Sequence, residues 1–229
     1  MDEYFENLDT ALRNISEEIG IINLQGEQSR LDDDWYWPRL ARLSFFEKLF
    51  QEHRYHFLYE IQALSSQIHF GLAHCFLFRN KISTRRGRPN MYNHRYTFMI
   101  ESTIHGIYAY WNRVGLVLNT YLKEPKDIKR TYFANVVDQL VKDYPVLNDS
   151  GSYKWMLGVK NLLNDLDRNE FAHNNSLIMQ NFLPKNADGD DFGKLLAMPE
   201  LLLEHNKFIV NEILNLVSLI EELEVMVAK

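Results

Sequence analysis

The residues best suited to chemistry lie in the run Asn161–Asn175, where Arg168 is followed directly by Asn169 and, five positions on, by His173. A histidine titrates near neutrality and can take a proton in one step and return it in another. An arginine keeps its charge, and its planar fork matches phosphate oxygens. Together such groups can move a proton at a phosphate ester and offset the charge that develops on it. On a regular helix, positions five apart differ by about 140° and about 7.5 Å. Arg168 and His173 therefore share a face only if the helix end unwinds or if the arginine bends across. Asp165, Asp167 and Glu170 surround Arg168. An Asp165–Arg168 ion pair, with His173 as a cation at a helix end, is the structural alternative. A second arginine–histidine pair, Arg88 to His94, encloses Pro89 in a connector and lacks the helical context.

Two further groups could serve such a site. Between Glu60 and Glu101 there is no acidic residue, while Arg79, Lys81, Arg85, Arg86, Arg88 and Arg95 supply +6. This segment could meet a phosphate backbone, with a solvated basic loop as the alternative. The second group is a polar stripe of Glu101, His105, Tyr108, Asn112 and Asn119, lying about 100° round a helix from an apolar stripe. It could line a groove or cover the surface of a bundle. The remaining histidines are weaker candidates. His53 and His56 have no third metal ligand at a telling distance, His69 and His74 flank Cys75 as packed or capping residues, and His205 reads as a surface or interface position. No metal or cofactor is expected, since zinc-binding, phosphate-cradling and nucleophile-elbow motifs are all missing.

The elements that must position these groups are helical. Tyr4, Leu8, Leu12, Ile15, Ile19 and Ile22 recur at helical steps, and Gln25–Asp34 reads as an acidic loop. From Pro38 to about Asn80 the pattern gives one long helix, or two with a break at Gly71. Ser83–Asn90 is a connector, and a helix from about Tyr92 to Leu122 carries the stripe Ile100, Ile104, Ile107, Trp111, Val114 and Leu118. Helices follow over about Arg130–Asp143 and from Ser152 to about His173, with a loop over Asn181–Gly193. Pro199 is read as opening the last helix, whose Ile209, Ile213, Leu216, Ile220, Leu223 and Val227 keep a heptad step suited to bundle packing or to a dimer seam.

The chain of 229 residues, 46 % hydrophobic and 24 % charged, has the composition of a globular protein, and its six Pro and ten Gly argue against a turn-rich sandwich. Its single cysteine excludes an intrachain disulfide and a cysteine zinc site. No leader pattern and no run of roughly 18–20 apolar residues is present, so a cytoplasmic location and no membrane partner are expected. Net charge is −6, of which residues 1–34 contribute −8 from ten acids and two arginines.

The motif Arg168-Asn169…His173, at a helix end in the second half of an all-α chain, resembles that of the HEPN superfamily, whose members carry Arg, four to six residues, then His, often with Asn after the Arg. The resemblance spans about residue 40 to the C-terminus, although only six residues are specific. It implies an all-α, up-and-down bundle of long helices, with residues 39–229 as the HEPN-like bundle and residues 1–38 as an N-terminal helix and acidic loop packed on it. Many HEPN proteins are metal-independent endoribonucleases that act as homodimers, with one motif from each subunit in a shared cleft. They often serve as toxins or as stress and defence effectors, opposed by an antitoxin or another protein partner. The resemblance implies Arg168 and His173 as catalytic residues. Asn169, Glu101, His105, Tyr108, Asn112, Arg85, Arg86 and Arg88 then bind RNA or nucleotide. Other members cleave nothing, so a non-catalytic module binding nucleotide, RNA or protein is the alternative, and a partner-binding bundle using the heptad face is a third.

Overall fold

All described elements of the computed structural model are helical. The structure describes residues 2–19, 57–85, 87–164, 166, 176–182, 189–210 and 212–228. In chain order these hold α1 (Asp2–Ile19), α2 (Phe57–Arg79), α3 (Met91–Asn119), α4 (Phe133–Asp143), α5 (Gly151–Asn164), α6 (Leu177–Phe182), α7 (Gly189–Val210) and α8 (Ile213–Val227). Single 3-10 turns lie at Ile128–Arg130 and Pro145–Asp149. The chain divides into two interleaved units. Unit 1 comprises Met1–Gly20, Leu64–Ile107 and Asn164–Lys207, and unit 2 comprises Ile21–Ala63, Tyr108–Leu163 and Phe208–Lys229. The boundary expected at residue 38 lies outside the described residues.

In unit 1, α1 buries Leu8 and Ile15, two turns apart on one face. Tyr4 Oη lies 2.6 Å from His74 Nε2, and His74 Nδ1 lies 2.8 Å from the Phe70 carbonyl oxygen. Because a carbonyl only accepts, Nδ1 carries the proton and Nε2 accepts from the tyrosine. His74 is thus a satisfied core residue. Helix α2 runs unbroken through Gly71, the single-helix alternative of the two that the sequence leaves open. The glycine serves a close approach, since a Cβ there would fall 2.3 Å from Thr103 Oγ1 on α3. Burial pushes the Cys75 thiol up to about 12. Its thiolate form is therefore suppressed, and we expect no reaction with a thiol reagent at pH 8 until the chain unfolds, as followed by absorbance with and without denaturant.

Helix α7 corrects the reading of Pro199. The proline lies inside the helix, which begins ten residues earlier, at Gly189, and the last helical stretch is divided into α7 and α8. A proline at this position leaves the carbonyl four residues back without its donor. That carbonyl belongs to Leu195, and the buried Tyr96 hydroxyl donates to it at 2.8 Å. Arg79 Nη1 donates to the next carbonyl, Leu196, at 3.3 Å and pairs with Glu200. Burial raises the Tyr96 phenol far above its ordinary range, so it stays a donor. We expect Tyr96→Phe to cost about 1–2 kcal/mol in a denaturant titration, because it orphans a buried acceptor. Pro199→Ala restores the missing N–H and should shrink that penalty.

Unit 2 packs around Trp111, whose ring centroid lies 5.3 Å from that of Phe133 and 6.0 Å from that of Trp155. Val136, Val137 and Leu140 of α4, Met156 and Val159 of α5, and Leu216, Ile220 and Leu223 of α8 complete its core. The C-terminal heptad from Ile213 to Leu223 is therefore consumed within the chain, while Val227 is exposed. Periodicity shows that a face is buried but not against what. His205 is likewise buried, in unit 1, where the sequence suggests a surface. Among the described residues no helix is long and apolar enough to cross a membrane.

Candidate functional site

Arg168, Asn169 and His173 lie outside the described residues, as do Arg86, Asp165, Asp167, Glu170, His53 and His56. What the structure places are the groups expected around the motif and the segments flanking it. The isoleucine stripe of α3 is fully buried from Ile100 to Leu118, and this fixes where the polar stripe points.

The stripe residues are engaged with main chain. In unit 1, Glu101 Oε1 accepts the Leu177 N–H at 2.7 Å. This places a carboxylate on the first N–H of α6, where helix ends favour negative charge. Leu177 follows His173 by four residues. In unit 2, the Tyr108 hydroxyl donates to the Leu163 carbonyl at 2.6 Å, five residues before Arg168. Asn112 Oδ1 accepts the Phe133 N–H at 3.1 Å, supplying the start of α4 with a cap that Tyr132 does not provide. Asn119 donates to the Lys126 carbonyl and accepts its N–H, holding the turn around Pro125. His105 is exposed on the same helix. The sequence locates this stripe but not its partners, which for Glu101, Tyr108, Asn112 and Asn119 are backbone groups from seven to 76 residues along the chain.

The basic connector is a built loop. Asn93, fully buried, accepts the N–H groups of Ser83 (2.9 Å) and Asn90 (2.8 Å) and donates to the Ser83 carbonyl at 3.0 Å. Asn90 donates to the Lys81 carbonyl and caps the start of α3 through the Tyr92 and Asn93 N–H groups. At its tip, Gly87 takes a positive φ of 70°, open to glycine at little cost, and donates to the Phe182 carbonyl at 3.0 Å. The connector is thereby fastened to the end of α6, the first described helix after the motif. Arg85 and Arg88 project from it exposed, and Lys81 Nζ and Arg95 Cζ lie 5.5 and 5.7 Å from the centroid of the Tyr92 ring. Asn93 and Asn90 escaped the sequence reading; the available signal was an Asn-x-x-Asn pair opening a helix directly after a proline.

No protein-family model, curated protein or solved structure matches the chain. Among the described residues no cluster of three or more metal-ligating side chains occurs. Lys81, Arg85 and Arg88 are exposed on the connector, while Arg79, at the end of α2, is paired with Glu200, and Glu101 is occupied by a helix N–H. That arrangement can hold an anion.

Proposed function

We propose that the chain is a metal-independent endoribonuclease of the HEPN type, working in the cytoplasm as a homodimer and serving as a toxin or defence effector. His173 is the acid and base, Arg168 holds the phosphate and its developing charge, and Asn169 orients one or the other. The observation that carries this reading is the fastening of the acid-free basic connector to α6, through Gly87 and Phe182, next in the chain after the motif. It supports an anchored positive surface to which a phosphate backbone would be drawn. Glu101 and Tyr108 support the reading in another way, since they tie down main chain on either side of the motif run.

The test is incubation of the purified chain with single-stranded RNA in excess EDTA. The expected result is cleavage of RNA with DNA of the same sequence left intact. RNA that stays whole, at concentrations where the chain self-associates, overturns the proposal. The exposed arginines of the anchored connector also fit a second reading, a module that binds nucleotide or RNA without turnover. It predicts thermal stabilisation by saturating nucleotide with no product formed.

A further inference from the structure

Helix α3 turns a second face to solvent within unit 1. Met91, His94, Arg95, Phe98, Ser102 and His105 fall within about 100° of arc, opposite the isoleucine stripe, and all six are exposed. Two of them are large and apolar, Met91 at 66 % and Phe98 at 61 % exposure. Scattered single hydrophobics need no explanation, but these two stand seven positions apart on one face, with Arg95 between them. The face contains no carboxylate. At its N-terminal end it runs directly into the connector that presents Arg85 and Arg88, and there both Lys81 and Arg95 lie against the Tyr92 ring.

Flat apolar surface flanked by cations matches a polyanion that offers flat apolar groups of its own. Single-stranded nucleic acid does so, because its unpaired bases stack on aromatic side chains while its phosphates meet arginines. A duplex hides its bases, and an acidic peptide leaves the exposed phenyl ring without a complement. We propose that the exposed face of α3, with the connector, is a docking track for single-stranded RNA, in which Phe98 stacks on a base, Met91 packs beside it, and Arg88, Arg85 and Arg95 hold phosphates. The choice of RNA rests on the ribonuclease reading; the stacking and charge argument stands on the surface itself.

The experiment uses the full chain carrying His173→Ala, so that bound RNA is not consumed, with fluorescence anisotropy of labelled oligoadenylate in EDTA. Phe98→Ala, at an exposed position, should keep the thermal midpoint and weaken binding by about tenfold or more. Arg88→Ala should weaken binding on every sequence and flatten the salt dependence by about one unit of slope or slightly less. Phe5→Ala, an equally exposed ring on the acidic α1, should change nothing. Equal affinity in the Phe98→Ala and parent proteins overturns the inference. So does Phe98-dependent binding to phosphatidylserine vesicles without binding to RNA. If Phe98→Ala loses RNA while the wild-type chain never cuts it, the track stands and the ribonuclease reading falls. If the wild-type chain cuts RNA and Phe98→Ala binds and cuts it equally well, the reading stands and the track falls.

Discussion

Alanine at Gly115 is expected to lower stability by about 2 kcal/mol, while alanine at Gly158, in the same unit, is expected to raise it by up to about 1 kcal/mol. Both glycines are interior to helices, where alanine gains about 0.5–1 kcal/mol. Their surroundings differ. A Cβ on Gly115 would fall 2.9 Å from Phe133 Cα and 3.1 Å from Phe133 N, whereas a Cβ on Gly158 meets nothing within 4 Å. The atoms in the way at Gly115 are backbone, at the start of α4, and cannot rotate aside. Overpacking of this kind costs about 1–3 kcal/mol. Moving Phe133 also strains the cap it receives from Asn112, which is worth about 1 kcal/mol. These costs outweigh the gain in helix propensity. Urea titration of both variants gives the comparison, and a stabilised Gly115→Ala would show that α4 does not pack as described.

The other large effect follows from the proposed chemistry. His173→Ala should reduce RNA cleavage by about 10²–10⁴-fold, the usual worth of a positioned acid or base. Arg168→Ala should lose about 10²–10³-fold, in line with removal of one group that stabilises developing charge. Arg168→Lys should recover only part of this, since lysine keeps the charge but lacks the fork that grips two phosphate oxygens. If two histidines divide the acid and base roles across a dimer, the rate should rise and then fall with pH. Initial rates on a labelled RNA decide these points. Cleavage that survives both alanine substitutions removes Arg168 and His173 from the mechanism.

The local pattern of the sequence carried the helical class and the inward face of α3, because a 3.6-residue period needs no knowledge of distant partners. The stripe from Ile100 to Leu118 is buried as its spacing requires. Two readings failed where tertiary contact overrode local preference. Pro199 resembles a helix start, yet α7 continues through it because Tyr96 and Arg79 serve the carbonyls beneath it. At Gly71 the pattern left one helix or two open, and α2 runs through as one, with the glycine at its close approach to Thr103. His205 resembles a surface or interface residue but is buried within unit 1. The site was legible in the same uneven way. Residue type and spacing singled out Arg168, His173 and the basic run, but nothing local disclosed that Asn93 and Gly87 hold the connector in place or that Glu101 tends the start of α6. The exposed Phe98 was visible in principle, as an apolar residue on the helix face opposite the core stripe.

The most direct measurement is the chemistry of the ends left on a cleaved single-stranded RNA in EDTA, read by mass spectrometry. Attack by the 2′-hydroxyl, with His173 moving the protons and Arg168 holding the phosphate, leaves a 2′,3′-cyclic phosphate on one fragment and a 5′-hydroxyl on the other. Fragments ending in a 3′-hydroxyl and a 5′-phosphate would contradict it.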